Sequence, residues 1–451
     1  MKKYRVFAIL MVILVFAAVT SGFNNYDQEI EKRRPRLDPG KFCSAKFHSP
    51  LRKTPQQYAS DRILVKFKPF ISEQAVNTAV IATNSQILKK ISQFNIFLIG
   101  IPQGTSVNEM VYTYERNPDV EYAEPDYRTR ITVTPNDILF EYQYSLSNQG
   151  QAIGVPGSPQ GKSSADIKAT AGWEETTGEE EVIIAIIDTG VDLKHPDLIN
   201  KIYSNGYDFV NDDAEADDDH GHGTHVAGIA AAETDNNEGI AGVAWNCKIL
   251  PVKVMDETGE GYYSWMISGI DYALQQGVDV INLSLGGDVD SPNLENIIKA
   301  AFENDIIIVA SAGNENSPVL YPAAYDDYCL AVAASDYDDL RAEWSNFGTE
   351  VDVAAPGARV LSCVPTWFWG PGSLPYAFST GTSTSAPHVA GLAALIKGIK
   401  KWLDASDIMN VIRYTSDDIN SSEHPGKDDY IGYGRINMEK ALVPIKISNR
   451  K

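Results

Sequence analysis

From Glu181 onward the chain alternates short, almost wholly apolar runs with stretches of helical periodicity. The runs are Val182–Ile187, Cys247–Met255, Val278–Leu285, Ile306–Ala310, Cys329–Ala333 and Val351–Ala354. Helical patterns lie between them at His222–Ala232, Tyr263–Gln275 and Leu294–Asn304. Continuous apolar strands separated by helices predict an α/β, doubly wound, mainly parallel sheet covered on both faces. Ligands of such a sheet bind beyond the C-terminal ends of its strands. A last apolar stretch, Phe378–Lys397, opens on the small-residue turn Gly381-Thr382-Ser383 and reads as a helix buried nearly all round. Pro387 is expected in its first turn, where a helix tolerates proline.

Upstream, Asp61–Arg130 reads as a small α+β unit of its own. Arg62–Phe67 alternates as a strand, Ser72–Ile81 is a short helix and Phe94–Ile101 a further strand. Val107–Arg116 is a second helix, ended by Asn117-Pro118, and Val120–Tyr127 is extended. Together they make a βαββαβ-like pattern. Thr134–Trp173 has few strand signals and is expected to wrap the surface of the sheet-forming region. Phe23–Ser60 is polar, charged and without periodicity, and reads as a poorly ordered linker. Met1–Gly22 has Lys2, Lys3 and Arg5, then the apolar run Val6–Val19, then small residues. That is the pattern of a signal peptide, and it predicts a secreted, extracellular protein. The expected division is 1–22, 23–60, 61–130 and 131–451.

Composition narrows the partners. The formal charge of −22 over 451 residues argues against nucleic acid and suits an exported or calcium-carrying protein. No later run is apolar enough to anchor the protein in a membrane once the signal is removed. Of the four cysteines, Cys43 stands alone in the linker, and no CxxC pair suggests zinc. Buried free thiols at Cys247, Cys329 and Cys363 are favoured over one disulfide among them.

Three stretches carry chemistry. VIIAIIDTGVD is a buried strand ending in Asp188, which is either a turn cap or the orienter of a histidine. HGHGTHVAG places His222 at the start of an apolar helix. Its neighbours His220 and His225 do not share a helical face with it, and the spacing is not that of a metal-binding HExxH helix. Ser383 sits at a helix N-terminus, as an ordinary cap or as a nucleophile amid free N–H groups. A serine hydroxyl needs a base near neutral pH. Imidazole supplies one, and a buried carboxylate fixes its tautomer.

The stretches DTGVD, HGTHVAG and GTSxxAPHVAG, in the order Asp, His, Ser, resemble the subtilisin-like serine proteases from about Thr134 to the C-terminus. The resemblance implies a triad of Asp188, His222 and Ser383. It also implies an oxyanion hole made by Asn314, in IVASAGNEN, with the Ser383 N–H. Protein or peptide substrates would lie as a strand between Ser284-Leu285-Gly286 and Gly259-Glu260-Gly261. Tyr263, Met266 and Leu285 would line the S4 pocket. Leu320 would floor S1 and favour medium apolar P1 residues. Thr384 stands where many relatives have an oxidisable methionine.

Asp61–Arg130 resembles an inhibitor-type propeptide, implying an intramolecular inhibitor and folding template. Its tail VEYAEPDYRTR would lie in the cleft until self-cleavage between Tyr127 and Pro135. The carboxylate-dense run Asn205–Asp219, with Asp208, Asp212, Asp213 and Asp217, is either a calcium site or a solvated acidic loop. By resemblance a second calcium would use Asp137, Asp197 and the loop Thr234–Ile240, with Asn237 as side-chain ligand. The expected function is thus a secreted serine endopeptidase, acting through an acyl-enzyme and made as a self-processing zymogen. Two alternatives are a catalytically silent receptor on a protease fold and an α/β-hydrolase esterase. The intact Asp188, His222, Ser383 and Asn314 weigh against the first. The missing G-x-S-x-G elbow weighs against the second.

Overall fold

The computed structural model describes residues 58–91, 94–127, 133–154, 158–203, 206–368 and 373–443. The expected signal peptide, Cys43 and positions 128–132 of the maturation segment lie outside these residues. The chain divides into two compact units at Ile131/Thr132.

The smaller unit runs β1 (Tyr58–Phe67), α1 (Glu73–Ala82), β2 (Gln86–Ile91), β3 (Ile96–Gly100), α2 (Val107–Glu115) and β4 (Val120–Tyr127). Its four-stranded sheet has the order β2-β3-β1-β4, with antiparallel pairing. Ser72 and Ser106 cap the two helices by accepting backbone N–H bonds, as short polar side chains do at helix starts. Alternate residues of β1, namely Ile63, Val65 and Phe67, meet Val76, Val80, Met110 and Tyr114 in one core. β1 begins three residues before the expected Asp61 boundary. Strand β2 has no counterpart among the expected elements, because all six of its residues are exposed and QILKKI carries no burial signal.

The larger unit is built on β5 (Ile183–Asp188), β6 (Tyr207–Asp208), β7 (Lys248–Lys253), β8 (Val280–Leu283), β9 (Ile307–Ser311), β10 (Cys329–Ser335) and β11 (Val351–Pro356). A hairpin of β12 (Val360–Cys363) and β13 (Tyr376–Ser379) comes after them. The helices are α3 (Ala169–Gly172), α4 (His222–Ala231), α5 (Tyr263–Gln276), α6 (Pro292–Glu303), α7 (Thr382–Ile399), α8 (Ala405–Thr415) and α9 (Met438–Leu442). The seven-stranded sheet has the order β11-β10-β9-β8-β5-β7-β6, and every neighbouring pair is parallel.

The apolar runs behave as two-faced strands. Ile184 and Ile186 of β5 pack into one core with α4, α7 and α8, whereas Ile183, Ala185 and Ile187 pack into the opposite core with α5 and α6. Each fully buried aliphatic side chain contributes roughly 1.5–3 kcal/mol, so a strand buried on both faces is held strongly. From β5 the chain passes to β6 at the sheet edge, returns to β7 beside β5, and then crosses to β8 on the other side of β5. The strand order therefore reverses at β5, and Asp188 stands at its C-terminal end.

One expectation needs correction. Helix α7 starts at Thr382, so Pro387 lies inside the helix and not in its first turn. A proline there removes one intrahelical hydrogen bond.

Candidate active site

Asp188, at 0% exposure, ends the central strand. Its Oδ1 accepts from the Thr189 N–H at 2.8 Å and lies 2.7 Å from His222 Nδ1. His222 is the first residue of α4 and remains partly exposed. A tight approach makes this pairing possible, since a Cβ on Gly223 would lie 2.0 Å from the Gly190 carbonyl oxygen. Only glycine lets the helix start sit on the turn after Asp188. Burial opposes protonation of His222. The charge and hydrogen bond of Asp188, aided by the charge of Asp218, outweigh that and raise the imidazole above its ordinary value.

The sequence run Asp217-Asp218-Asp219 hid the residue that fixes this geometry. Asp218 is buried, and its Oδ1 accepts from Thr189 Oγ1 at 2.8 Å and the Gly221 N–H at 2.8 Å. Its Oδ2 accepts from the Thr224 N–H at 2.9 Å and Thr224 Oγ1 at 2.6 Å. Asp218 thus ties the Asp188 turn to the start of the His222 helix. A carboxylate just ahead of a helix start was the available signal, because anions favour the free N–H groups there.

Lys253 was also missed. It ends β7 in register with Asp188, and its buried ammonium donates to Thr189 O at 2.9 Å, Met255 O at 2.7 Å and Asp219 Oδ1 at 2.6 Å. A charge inside an otherwise apolar strand run was its sequence signal.

Ser383 is the second residue of α7, which packs along α4. The Asn314 side-chain oxygen accepts from the Thr382 N–H at 2.8 Å and Thr382 Oγ1 at 3.0 Å, so its NH2 group is left to act as a donor. A Cβ on Gly381 would lie 2.9 Å from Ser383 Oγ and 3.5 Å from Asn314 Nδ2. Both groups therefore border the same side of Gly381, which carries no side chain. The other histidines diverge. His220 Nε2 faces Gly259, and His225 Nε2 lies 3.2 Å from Ala377 O.

The expected substrate residues fall into two groups. Met266 and Leu285 are buried in one apolar cluster, with Tyr263 packed against it. Leu320 lies between Gly286 and Gly313, whose added Cβ atoms would meet it at 3.2 Å and 3.0 Å. Gly286 and Gly261 are exposed, and Gly259 is partly so. Ser284 is buried, one residue past the end of β8.

The expected metal ligands do not assemble as the sequence suggested. Among the described residues, no group of three or more His, Cys, Asp or Glu side chains is placed to hold a metal ion. Asp208 Oδ1 accepts from the Val210 and Asn211 N–H groups, and Asp213 from Glu215 N–H. Asp212 is exposed and accepts from Tyr207 OH, while Asp217 accepts from Leu193 N–H. Asp208, Asp213 and Asp217 nevertheless line one shared cavity.

Asp137 and Asp197 are both buried. Among the described residues Asp137 Oδ1 finds no hydrogen-bond partner, and Asp197 accepts from Ile240 N–H and Tyr376 OH. Asn237 is exposed; Asn236, one residue earlier, places its Nδ2 3.0 Å from Asp197 Oδ1. Cys247, Cys329 and Cys363 are buried free thiols.

Residues 179–434 match the subtilase family, and residues 50–126 match the fervidolysin N-terminal prodomain. A thermophilic serine proteinase of Bacillus sp. (strain AK1) is 38% identical over 395 residues, covering 86% of this chain and 88% of the relative. Thermitase of Thermoactinomyces vulgaris is 42% identical over 277 residues, covering 61% of this chain and 93% of the relative. Among solved structures, a protease from Pseudoalteromonas arctica PAMC 21717 aligns with a TM-score of 0.59 at 32% identity, over 69% of this chain and 99% of that one. The fold and these relatives define the class: the protein is a serine endopeptidase. It belongs to the subtilase family and carries an N-terminal prodomain.

Proposed function

We propose that the protein is a secreted endopeptidase in which Ser383 attacks the peptide carbonyl. His222 takes the Ser383 proton and later gives it to the leaving amine. Asp188 holds the tautomer with the proton on Nδ1 and stabilises the imidazolium that forms. Asn314 Nδ2 and the Ser383 N–H receive the charge that develops on the carbonyl oxygen. The observation that carries this reading is the 2.7 Å contact between His222 and the wholly buried Asp188.

Tyr263, Met266 and Leu285 favour an apolar P4 residue, and Leu320 a medium apolar P1 residue. The prodomain, spanning 61–130, serves as folding template and inhibitor until the enzyme removes it. A parallel sheet rich in non-local contacts folds slowly, which gives such a template a purpose. A secretory leader at 1–22 fits relatives that include a halolysin-like extracellular serine protease of Natrialba magadii. A catalytically silent receptor is not favoured, because the relatives are named as proteinases.

Calcium is proposed at the Asp137 site. Burial pushes the Asp137 carboxyl up to about 6; backbone N–H bonds oppose this, and the neighbouring Asp197 charge adds to it. An orphaned buried carboxylate oxygen beside a second carboxylate fits a hard cation that takes oxygen ligands. Asp137, Asp197 and Asn236, in place of Asn237, would hold it, with the Asn236 amide turned to present its oxygen. The ion would neutralise the two carboxylates and fix the 234–240 loop. The Asp208–Asp217 loop does not fit as well, because among the described residues it holds no buried carboxylate oxygen left without a hydrogen-bond partner.

The test is to express the full chain and its Ser383→Ala variant. The full chain should shorten to a product beginning between Tyr127 and Pro135, while Ser383→Ala stays intact. Equal shortening of both would overturn the assignment of Ser383.

A further inference from the structure

Pro387 is the sixth residue of α7. In a regular helix its N–H would bond the carbonyl four residues back, which is that of Ser383. Proline has no N–H, and its ring crowds that same carbonyl. The Ser383 carbonyl is therefore denied its helical partner. It accepts instead from Ser284 Oγ, at 2.9 Å. Ser284 has one hydroxyl proton to give. Asn282 Nδ2 donates to Ser284 Oγ at 2.9 Å, which leaves that proton for Ser383. The reversed amide would make Asn282 an acceptor and take the proton away. Both Asn282 and Ser284 are buried, so water does not compete.

We propose that Asn282 and Ser284 form a positioning relay for the nucleophile, with Ser284 Oγ–H standing in for the N–H that Pro387 lacks. This rests on the reading of Ser383 as nucleophile. It goes beyond that reading by giving the Ser284 side chain a role separate from its backbone. Ser284 begins the segment Ser284–Gly286, against which a peptide substrate is expected to lie. A substrate seated there presses on the residue that holds the carbonyl of the attacking serine, so docking and nucleophile placement are mechanically joined. The relay acts through Ser383 and touches no reacting atom, so its loss should appear in turnover and not in binding.

The test compares processed wild-type enzyme with Ser284→Ala, Asn282→Ala and the double variant. All are normalised to active sites counted with an acylating titrant. Loss of one hydrogen bond of ordinary strength corresponds to about tenfold in rate. Ser284→Ala should therefore lower kcat about tenfold, with KM within about twofold and the acid limb of the pH profile unmoved. Asn282→Ala should lower kcat comparably, and the double variant should lose no more than Ser284→Ala alone, because the two act as one unit. Restoring an N–H by Pro387→Ala in the folded Ser284→Ala background should recover part of kcat.

An unchanged kcat in Ser284→Ala, a loss carried by KM, fully additive losses, or no recovery in the folded Pro387→Ala combination would each overturn the relay. Ser383→Ala separates the two levels. If it retains titratable activity, the assignment of the nucleophile fails; if it is inactive and Ser284→Ala is unimpaired, only the relay fails.

Discussion

Replacing Asp188 by Asn tests the site at its most buried point. The side chain is at 0% exposure, and its Oδ1 lies 2.7 Å from His222 Nδ1. At that separation and an effective dielectric of about 20, the attraction between carboxylate and imidazolium is about 6 kcal/mol. The imidazolium exists only after His222 has taken the serine proton, so most of that attraction is felt in the transition state. At about 1.36 kcal/mol per decade, the expected loss in kcat is about four orders of magnitude. Asparagine adds a second fault. Its NH2 group can donate to Nδ1, which moves the imidazole proton to Nε2 and disables the base.

The pH profile supplies an independent sign. Asp188 raises the His222 pKa against the opposing effect of burial. With the charge removed, burial dominates, and the acid limb of the residual kcat/KM should move to lower pH. The variant will not process itself, so the prodomain should be cut by a trace of wild-type enzyme that is then inhibited. A chromogenic peptide assay from pH 5 to 9 on titrated enzyme gives both quantities. A loss below about a hundredfold, or an acid limb that stays or rises, would refute the role assigned to Asp188.

Lys253→Met removes the ammonium that Thr189 O, Met255 O and Asp219 share. The buried Thr189 carbonyl and the partly buried Met255 carbonyl lose their donor while Asp219, 44% exposed, is rescued by water, so about 2 kcal/mol of stability should be lost in denaturant unfolding of a Ser383→Ala background. Chelation should lower the Tm of the mature enzyme and calcium should restore it, with Asp137→Asn abolishing the response; an unchanged Tm in wild type would remove the proposed site. Peroxide should leave most activity intact, because the residue after Ser383 is Thr384, buried and bonded through Oγ1 to Gly381 O at 2.9 Å. Rapid inactivation without modification at Ser383 would contradict this. His225 is pushed down to about 3, chiefly by burial, with the His222 charge adding. Its folded pKa lies below the unfolded value, so stability is full above about pH 6.5 and falls by about 1.4 kcal/mol per unit as pH drops toward 3; His225→Gln should flatten that slope.

The sheet and its helices were legible because parallel strands buried on two faces must be apolar along their whole length. Each of the six apolar runs overlaps an observed strand, and the three helical patterns between them overlap α4, α5 and α6. The residues proposed for chemistry could be singled out because Asp188 ends a strand, His222 and Ser383 open helices and Asn314 lies in the turn after β9, where small residues and glycines announce a close approach. What escaped is defined by partners far apart in sequence. Asp218 is one of three adjacent aspartates, and nothing local says which one turns inward. Lys253 sits in an apolar run, and only the fold brings Thr189 O to it. Asn236 and Asn237 are adjacent and identical, and the loop's backbone alone decides which reaches Asp197. The hairpin β12–β13 and helix α8 match no expected element, and β2 shows no burial at all.

The polar residues that escaped share a physical cause. Apolar packing fixes the sheet, but it stops at the C-terminal ends of β5, β7 and β8. Beyond those ends the chain must expose polar groups to substrate while keeping them still. The structure meets both demands with buried polar groups that have several partners each: Asp218 on Thr189, Gly221 and Thr224; Lys253 on Thr189, Met255 and Asp219; Ser284 on Asn282 and Ser383. A buried ion or amide with one partner can swing about that bond, whereas one with two or three cannot, and leaving any partner empty costs about 1–3 kcal/mol. Rigidity at the cleft is thus an electrostatic property, and Thr189 is where it concentrates. Its Oγ1 accepts from Gly223 N–H and donates to Asp218, and its carbonyl accepts from Lys253. Thr189→Val, which keeps the shape and deletes the hydroxyl, should therefore lower kcat through misplacement of His222. In the Ser383→Ala background it should shift Tm less than Lys253→Met, because the backbone carbonyl that binds the ammonium remains. A Thr189→Val enzyme with wild-type kcat would show that the apolar layers alone hold the cleft in place.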